Sequence, residues 1–237
     1  MKVYVTVSDR YHHVLKIFIQ QFQKYWPNQE VVIVCFALPD YSIASNFSIL
    51  SLGPQERFPF NKWSDALISL FTQLNDITED EVFCLMLEDY ILTRPVNTEA
   101  IRMLYDYMIQ FQGVIKMDIC EDRLYAHGAD LNYDNVGYLD LVRSMPGSQY
   151  HMSLWPGLWR RKHMLDILKY DWSPHEVETS GTPILAHRTD LYVLGTRQSP
   201  VRITNVVRGA DVGSLDLGGL KQVDRDELKE SGCIKSE

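Results

Sequence analysis

Hydrophobic and amphipathic segments alternate through the first half of the chain. Four continuous apolar runs have the length of a strand, and they occupy residues 2–7, 30–36, 82–92 and 113–119. The segments between them carry apolar side chains at the three- to four-residue spacing of a helix, and they occupy residues 11–26, 62–74 and 97–111. Apolar strands joined by helices are typical of parallel sheets with both faces covered. The pattern predicts an α/β protein with a mainly parallel central sheet and flanking helices.

The rest of the chain has a weaker periodicity. Residues 37–60 contain several proline and glycine breakers and are predicted to be irregular. Residues 121–149 are predicted to form a long polar loop. A short basic amphipathic helix is predicted to begin at Arg160–Lys162, with its charges either in solvent or near an acceptor or phosphate. The charged C-terminal segment is predicted to fray.

The composition is that of an ordinary globular protein, with 46% hydrophobic and 23% charged residues. A net charge of -8 does not favour binding to nucleic acid or to an anionic membrane. No apolar run is long enough to span a bilayer, and the N-terminal residues predict a strand rather than a signal peptide. The four cysteines form no C-x-x-C pair, so we expect a reduced, cytoplasmic protein without disulfides or a zinc site.

Several well-known catalytic motifs are missing from the sequence. It contains no P-loop, no G-x-G-x-x-G between a strand and a helix, and no G-x-S-x-G nucleophile elbow. Kinases, Rossmann dehydrogenases and serine hydrolases are therefore disfavoured.

Acidic side chains lie at or near the ends of three of the predicted strands. Asp9 follows the first strand, Glu88 and Asp89 follow the buried part of the third, and Asp118 lies near the end of the fourth. In an open α/β sheet, ligands bind beyond the carboxyl ends of the strands. Carboxylates gathered there repel one another unless a cation lies between them, and Mg²⁺ or Mn²⁺ prefers oxygen ligands while leaving positions for phosphate. The sequence therefore predicts a site for a divalent cation and a diphosphate at this edge.

Glu88 and Asp89 also have a purely structural interpretation, because either acid could cap the next helix or pair with Arg94 or Arg102. Side chains that follow one another in a strand point to opposite faces, so only one of the two acids is expected to face the site. We favour Asp89 for that position.

Four blocks of the sequence, taken in order, resemble a known family. The blocks are VTVSDRY…FIQQFQKYWPNQEVVIV, FPFNKWSDAL, FCLMLEDYILTRPVNTEAI and YHMSLWPGLWRRKHMLDIL…WSPHEVETSGT. Over roughly residues 3–210 the chain resembles small glycosyltransferases of bacteria and their phages that have a GT-A-like nucleotide-sugar fold. The resemblance implies one GT-A-like domain at 1–213, with a donor half at about 1–119 and an acceptor half at about 120–213, followed by a tail at 214–237.

The resemblance assigns the donor side of the site. In such enzymes the end of the first strand holds the donor nucleotide, which implicates Ser8, Asp9 and Arg10. Glu88 and Asp89 take the place of the D-x-D motif that binds the metal and the donor phosphates. Because this chain has EDY rather than D-x-D, a requirement for Mn²⁺ or Mg²⁺ is implied less directly than in the family.

The acceptor side is implied by the segment SPHEVETSG, which is predicted to be a polar loop. Glu178 matches the family's glutamate and would deprotonate the acceptor hydroxyl in an inverting reaction, although Glu176 has the same chemistry. His175 stands where the family has an aromatic residue. Trp155 and Trp159 are candidates to stack on a sugar or base, with core packing as the alternative.

Three further residues complete the sequence-based predictions. Arg208 lies in NVVRGADVG, which resembles a late segment that closes over the donor, and it is expected either to compensate phosphate charge or to lie at the surface. His187 is a candidate metal ligand from the C-terminal half. Trp63 has apolar companions at helical spacing and is predicted to pack in the core.

The resemblance implies transfer of a sugar from a nucleotide diphosphate donor to a hydroxyl of a glycan, a lipid-linked saccharide or a surface polysaccharide. A hydroxymethylated DNA base is a further acceptor of phage type, which the acidic net charge does not favour. Two other interpretations stay open. One is a nucleotidyltransferase, although SDRYHH lacks the usual glycine-rich, basic loop after the first strand. The other is a carbohydrate- or nucleotide-binding protein without turnover.

Overall fold

Strands and helices alternate in the N-terminal half, as the hydrophobic pattern predicts. The computed structural model describes residues 1–41, 43–73, 81–121, 131–207 and 215–234. The strands in these ranges are β1 (Val3–Thr6), β2 (Val31–Cys35), β3 (Phe47–Ser51), β4 (Val82–Leu87), β5 (Tyr90–Leu92), β6 (Val114–Asp118), β7 (Leu131–Val136), β8 (Leu139–Arg143), β9 (Gly157–Arg160), β10 (Tyr192–Thr196) and β11 (Ile203–Asn205). The α-helices there are α1 (His12–Tyr25), α2 (Trp63–Gln73), α3 (Thr98–Gln110), α4 (Arg161–Ile167), α5 (Pro174–Ala186) and α6 (Gln222–Glu230). None of these helices is both long enough and apolar enough to cross a membrane.

Nine of the described strands form one sheet, in the order β3-β2-β1-β4-β9-β6-β10-β8-β7. The strands from β3 to β4 in this order are parallel to one another, and β6 is parallel to β10. β9 lies antiparallel between β4 and β6, and β8 and β7 extend the sheet by antiparallel pairing. The predicted α/β fold, with a mainly parallel central sheet and flanking helices, is confirmed.

Alternate side chains of the central strands enter hydrophobic layers on opposite faces of the sheet. Val3 and Val5 of β1 pack in the layer that includes α1 and α3, whereas Tyr4 packs in the layer that includes α2, α4 and α5. Each large apolar side chain buried in this way contributes about 1.5–3 kcal/mol to folding. Because both faces are covered, the strands need no polar positions, which explains their continuous apolar sequences.

The apolar run at 82–92 divides into two strands. β4 ends at Leu87, Glu88 and Asp89 form a turn, and β5 follows. β5 leaves the central sheet and pairs antiparallel with β11 in a separate two-stranded sheet. The prediction of one continuous strand is therefore wrong, and the turn presents both acids at the carboxyl end of β4.

Regular structure also forms where loops are predicted. β3 lies within 37–60, and β7 and β8 form a hairpin within 121–149. The hairpin turns at Gly137, whose φ of +58° suits glycine. The polar stretch around Glu178 is helix α5, which buries Val177 in the core. These elements depend on strand pairing and burial across the fold, which a local sequence pattern does not reveal.

The C-terminal segment does not fray over residues 222–230, where helix α6 packs against α1. Asp224 is fully buried, and its carboxylate accepts hydrogen bonds from the Lys24 ammonium and the Tyr25 hydroxyl, each at 2.8 Å. Leu228 enters the hydrophobic layer beside α1. The sequence does not predict this contact, because charged residues are expected in solvent and one of the side chains that hold the helix is a buried acid.

Candidate functional site

A cavity of about 500 Å³ lies at the carboxyl ends of β1, β2 and β4, which are neighbours in the sheet. One part of its wall is apolar, formed largely by Val34, Phe36, Leu52, Phe58, Trp63 and Ala66. The other part is polar. It includes six of the residues predicted from the sequence, namely Ser8, Arg10, Glu88, Asp89, His175 and Glu178.

The apolar part is built from the end of β2 and the start of α2. The rings of Phe36 and Phe58 lie 5.9 Å apart, and Ala66 packs with them. Trp63 is half-buried, contacts the layer around α2 and also lines the cavity, so the prediction that it belongs only to the core is corrected. Aromatic walls and the small Ala66 side chain leave space that suits a flat ring.

Both Glu88 and Asp89 line the cavity. The prediction that only one of them faces the site assumes that the strand continues through both residues. The chain instead turns at this point, so strand alternation does not apply. The turn brings two carboxyl groups to one wall.

Glu88 is the more enclosed of the two acids, with 7% of its surface exposed. Burial raises the pKa of its carboxyl group, and the neighbouring Asp89 raises it further. Hydrogen bonds from the backbone N–H groups of Glu88 and Ser8, together with the charge of Arg10, act in the opposite direction. Glu88 is thereby attached to the end of β1 and is inclined to hold a proton.

Asp89 is half-buried, and burial also raises the pKa of its carboxyl group. Its own backbone N–H and the Asn205 side chain donate hydrogen bonds that offset this effect. The Oδ1 atom is buried and has no hydrogen-bond partner among the described residues. A buried acceptor without a partner is costly, so this oxygen is a natural contact for a bound ligand.

The turn after β1 contributes Ser8 to the cavity but not Asp9. Asp9 accepts a hydrogen bond from the backbone of Ala37 at 2.9 Å, and its own N–H donates to Gln55 at 2.8 Å. Asp9 therefore connects the turn to the segments that follow β2 and β3. Because Asp9 does not line the cavity, its predicted contact with the donor is corrected. The hydroxyls of Thr6 and Ser8, which do line the cavity, are buried without a partner in the described part of the chain.

Arg10 supplies positive charge at the cavity. Its guanidinium lies 4.7 Å from the ring centre of Tyr11 and 5.1 Å from that of Phe60, so two aromatic faces support it. Among the described residues that line the cavity, Arg10 is the only lysine or arginine. It is therefore the main fixed cation available for an anionic ligand.

Helix α5 brings Glu178 to the cavity. Ser173 and Glu176 form a capping box at the start of the helix, which satisfies its first N–H groups. The bonds from Ser173 lower the pKa of Glu176, which is exposed and does not line the cavity. Glu178 does line it, and its Oε1 accepts a hydrogen bond from the N–H of Leu154 at 2.7 Å. Of the two candidate bases, only Glu178 faces the cavity. His175 also lines the cavity, at its exposed rim.

The two tryptophans predicted for the acceptor lie elsewhere. Trp159 is fully buried in β9, so the prediction of sugar stacking is wrong for this residue and the core alternative holds. Trp155 is half-buried outside the cavity wall, with its ring 5.6 Å from that of Tyr90, which does line the cavity. Trp155 therefore supports the wall from behind.

Several other charged candidates lie away from the cavity. His187 follows α5 at its C-terminal end, roughly 14 Å along the helix axis from Glu178 at 1.5 Å per residue. Its Nδ1–H donates to the carbonyl of Pro183. His187 does not line the cavity that Asp89 lines, so its predicted role as a metal ligand with Asp89 is corrected. Asp118 is fully buried in an ion pair with Lys116. Arg208 lies outside the described residues.

The basic start of α4 is also remote from the site. Arg160 is fully buried and donates a hydrogen bond to the carbonyl of Met108. It pairs with Val82 at the beginning of β4, the end of the strand opposite to the acidic turn. A contact between Arg160 and an acceptor or phosphate in this cavity is therefore ruled out.

The acidic turn fits the way in which Mg²⁺ and Mn²⁺ bind at phosphate-handling sites. There one or two carboxylates hold the ion and substrate oxygens complete its coordination. The partnerless Oδ1 of Asp89, next to the Glu88 carboxyl group, is a suitable donor set of this kind. No group of three or more His, Cys, Asp or Glu side chains able to hold a metal ion exists within the described ranges. A cation at this turn would therefore take further ligands from the substrate.

The lining residues that the sequence-based prediction misses include Tyr11, Gln55, Phe60 and Asn205. The first three follow the predicted strands or precede α2, and the pattern of apolar residues gives no signal for them. Asn205 lies more than a hundred positions after Asp89 in the sequence. The pairing of β11 with β5 brings it to the cavity.

Comparisons with known proteins bear on the fold only. No protein-family model matches the chain, and no curated protein matches its sequence. The galactosyltransferase LgtC, solved in complex with donor and acceptor sugar analogs, is 11% identical with a TM-score of 0.37, over 70% of this chain and 60% of that chain. The chain thus spans less than two thirds of the length of LgtC. The 2-C-methyl-D-erythritol 4-phosphate cytidylyltransferase (IspD) of Francisella tularensis is 10% identical with a TM-score of 0.45, over 98% of each chain. At these values neither activity is transferred to this chain.

Proposed function

We propose that the protein transfers a sugar from a nucleotide diphosphate donor to an acceptor hydroxyl. One observation carries the proposal: a single cavity joins an aromatic-walled part, a buried acidic turn and a separate carboxylate on α5. These parts match the three needs of the reaction. The apolar part can hold the nucleobase of the donor, the acidic turn can hold its diphosphate, and the carboxylate on α5 can take the proton of the acceptor hydroxyl. A glycan or surface polysaccharide is the acceptor class that we propose.

The donor would extend across the cavity from the apolar part to the acidic turn. Its base would pack against the wall formed by Phe36, Phe58 and Trp63, and its phosphates would reach Ser8 and Arg10. Arginine suits phosphate oxygens because its N–H groups form charge-assisted hydrogen bonds. A divalent cation held by Asp89 and Glu88 would stabilise the negative charge of the departing diphosphate.

Glu178 is the proposed general base. In an inverting reaction the acceptor oxygen forms a bond to the anomeric carbon while the bond from that carbon to the phosphate oxygen breaks. The nucleoside diphosphate leaves with the electron pair, and the proton of the hydroxyl passes to a carboxylate oxygen of Glu178. The Leu154 N–H bond at Oε1 orients the carboxylate. His175, on the rim, is proposed to contact the acceptor.

Nucleotidyl transfer is the competing reaction for a cavity of this kind. It would require the same wall to hold a triphosphate. We favour sugar transfer because Glu178 lines the cavity as a carboxylate that can take the proton of an acceptor hydroxyl. A binding protein without turnover would use the same cavity but would release no nucleotide.

Release of nucleoside diphosphate from UDP-, GDP-, ADP- and dTDP-sugars tests the proposal, with Mn²⁺, Mg²⁺ or EDTA present. We expect release from one donor, loss of release in Asp89→Asn, and no loss in Glu176→Gln, which alters an acid outside the cavity. Release of pyrophosphate from nucleoside triphosphates would instead establish nucleotidyl transfer. No release from any donor, with no thermal shift on adding it, would contradict the proposal.

A further inference from the structure

We propose that Asn205 is a positioning residue that fixes the Asp89 carboxylate at the cavity wall and leaves its Oδ1 available to a ligand. The inference rests on the proposed function for the nature of that ligand, a divalent cation. It concerns a residue that the sequence pattern does not select.

The backbone first places the two residues side by side. β11 pairs antiparallel with β5, and Asn205 lies opposite Tyr90, the residue that follows Asp89. The N–H of Val206 donates to the carbonyl of Asp89 at 3.0 Å. Asn205 is therefore fixed beside the acidic turn before its side chain is considered.

Both ends of the Asn205 amide are in use. Its Oδ1 accepts a hydrogen bond from the N–H of Val207 at 2.9 Å. The Asn205 side chain also lowers the pKa of Asp89 as a hydrogen-bond donor to its carboxylate. Because Oδ1 already accepts from Val207, the NH₂ group is the end of the amide that faces Asp89. The bond to Val207 thus determines which end of the amide Asp89 meets.

The two acids of the turn therefore have different hydrogen-bond partners. Backbone N–H groups of Ser8 and Glu88 bind the Glu88 carboxyl group, whereas Asn205 binds that of Asp89. Oδ1 of Asp89 nevertheless has no partner in the described part of the protein. Asn205 therefore fixes the carboxylate without occupying the oxygen that a cation would need. Outer partners of metal ligands typically change metal affinity by about 10–100-fold when removed.

Binding of Mn²⁺ in the presence of UDP, GDP, ADP or dTDP tests this role. It is followed as the loss of the electron paramagnetic resonance signal of the free ion beyond the loss that the nucleotide alone causes. Asn205→Ala removes both bonds of the amide. Asn205→Ser keeps a hydroxyl that can accept from the N–H of Val207, as serine does in turns, but does not reach Asp89 as the amide does. We expect both variants to weaken Mn²⁺ binding by about 10-fold or more, and Asn205→Ser to keep a melting temperature close to that of the wild type.

Two control variants separate the possible outcomes. Asn46→Ala removes an asparagine whose NH₂ donates to the Gln29 carbonyl far from the turn, and it should bind Mn²⁺ as the wild type does. Asp89→Asn should abolish binding. Wild-type affinity in Asn205→Ser and Asn205→Ala, together with a loss in Asp89→Asn, would overturn the role of Asn205 and leave the cation site intact. No Mn²⁺ binding by the wild type, or no effect of Asp89→Asn, would overturn the cation site and this inference with it.

Discussion

Glu88 and Asp89 are adjacent in sequence but differ in their surroundings. Glu88 is buried at the end of β1 and β4, and Asp89 reaches towards β11. Burial opposes ionisation of both carboxyl groups, and each charge makes the other less favourable. Together they store an electrostatic cost that a bound cation would relieve. Sequence alone indicates that acids lie at this edge, but not that a turn presents both of them.

Replacement of Glu88 by Gln should alter the pH dependence of stability. The pKa of Glu88 is higher in the folded than in the unfolded chain, so the folded protein binds more protons between the two values. The free energy of unfolding therefore falls as pH rises through this interval, and the loss persists above it. We expect Glu88→Gln to melt at a higher temperature than the wild type in alkaline buffer, with the difference disappearing near about pH 4.

Glu176→Gln provides a control of opposite sign. The pKa of Glu176 is lowered in the folded chain, so its ionised form adds stability above the ordinary carboxyl range and loses it in acid. The Gln variant should therefore melt at or below the wild-type temperature at neutral pH. Identical pH profiles for Glu88→Gln and the wild type would contradict the buried position of Glu88.

Glu178→Gln tests the general base at the same scale. The amide oxygen of Gln can still accept from the N–H of Leu154, so the side chain should keep its place while losing its ability to take a proton. We expect the rate of sugar transfer to fall by about 100-fold or more, with little change in donor affinity. Measurement of kcat and KM for both Glu178→Gln and Glu176→Gln checks this, and equal effects of the two changes would count against Glu178.

At the scale of elements, hydrophobic periodicity predicts the helices of the first half and the buried strands, because both depend on local pattern. The apolar run at 82–92 shows where this fails. Val82–Leu87 and Tyr90–Leu92 both bury apolar side chains, and only pairing with different partners separates them. The sequence-based prediction misses helix α5 for another reason. It has the capping box of Ser173 and Glu176, a signal that the sequence does contain but that its polar composition obscures.

The attachment of α6 yields a prediction at this scale. Burial opposes the charge of Lys24, but its hydrogen bonds with Asp224 and Glu227 outweigh this and raise its pKa. Lys24→Met would leave the buried Asp224 with the Tyr25 hydroxyl alone. We expect a loss of about 1–3 kcal/mol in unfolding free energy, less than for a fully buried pair because Lys24 is partly exposed.

Hydrogen exchange and denaturant unfolding measure this loss. Exchange at 222–230 should accelerate in Lys24→Met more than elsewhere in the chain. Lys162→Met, at an exposed position of α4, provides the control and should leave exchange at 222–230 unchanged. Equal protection of α6 in the two variants would show that the Lys24 contact does not hold the helix.

At the scale of the whole molecule, the cavity combines residues from distant parts of the chain. The N-terminal strands supply the acids and Arg10, α5 supplies Glu178, and β11 supplies Asn205. The insertion of β9 between β4 and β6 is a contact between segments far apart in sequence, so periodicity cannot predict it. For the same reason Trp159 is a plausible ligand contact in the sequence and a core residue in the fold.

One substitution can test the apolar part of the cavity separately from the acidic turn. Ala66 packs with Phe36 and Phe58 in the apolar part of the cavity wall. Ala66→Leu should fill that space at a stability cost of about 1–3 kcal/mol. We expect it to weaken nucleotide binding in calorimetric titrations while leaving Mn²⁺ binding intact. Ala100→Leu overpacks a buried position of α3 and serves as the control, since it should leave nucleotide affinity unchanged.

A crystal structure determined with Mn²⁺ and each of UDP, GDP, ADP and dTDP tests the central claim most directly. The account predicts that one nucleotide binds with its base against the apolar wall that contains Phe36 and Phe58. It also predicts an anomalous peak from Mn²⁺ between the diphosphate and Oδ1 of Asp89. A nucleotide bound elsewhere, or bound here with its phosphates directed away from Glu88 and Asp89, would contradict the account.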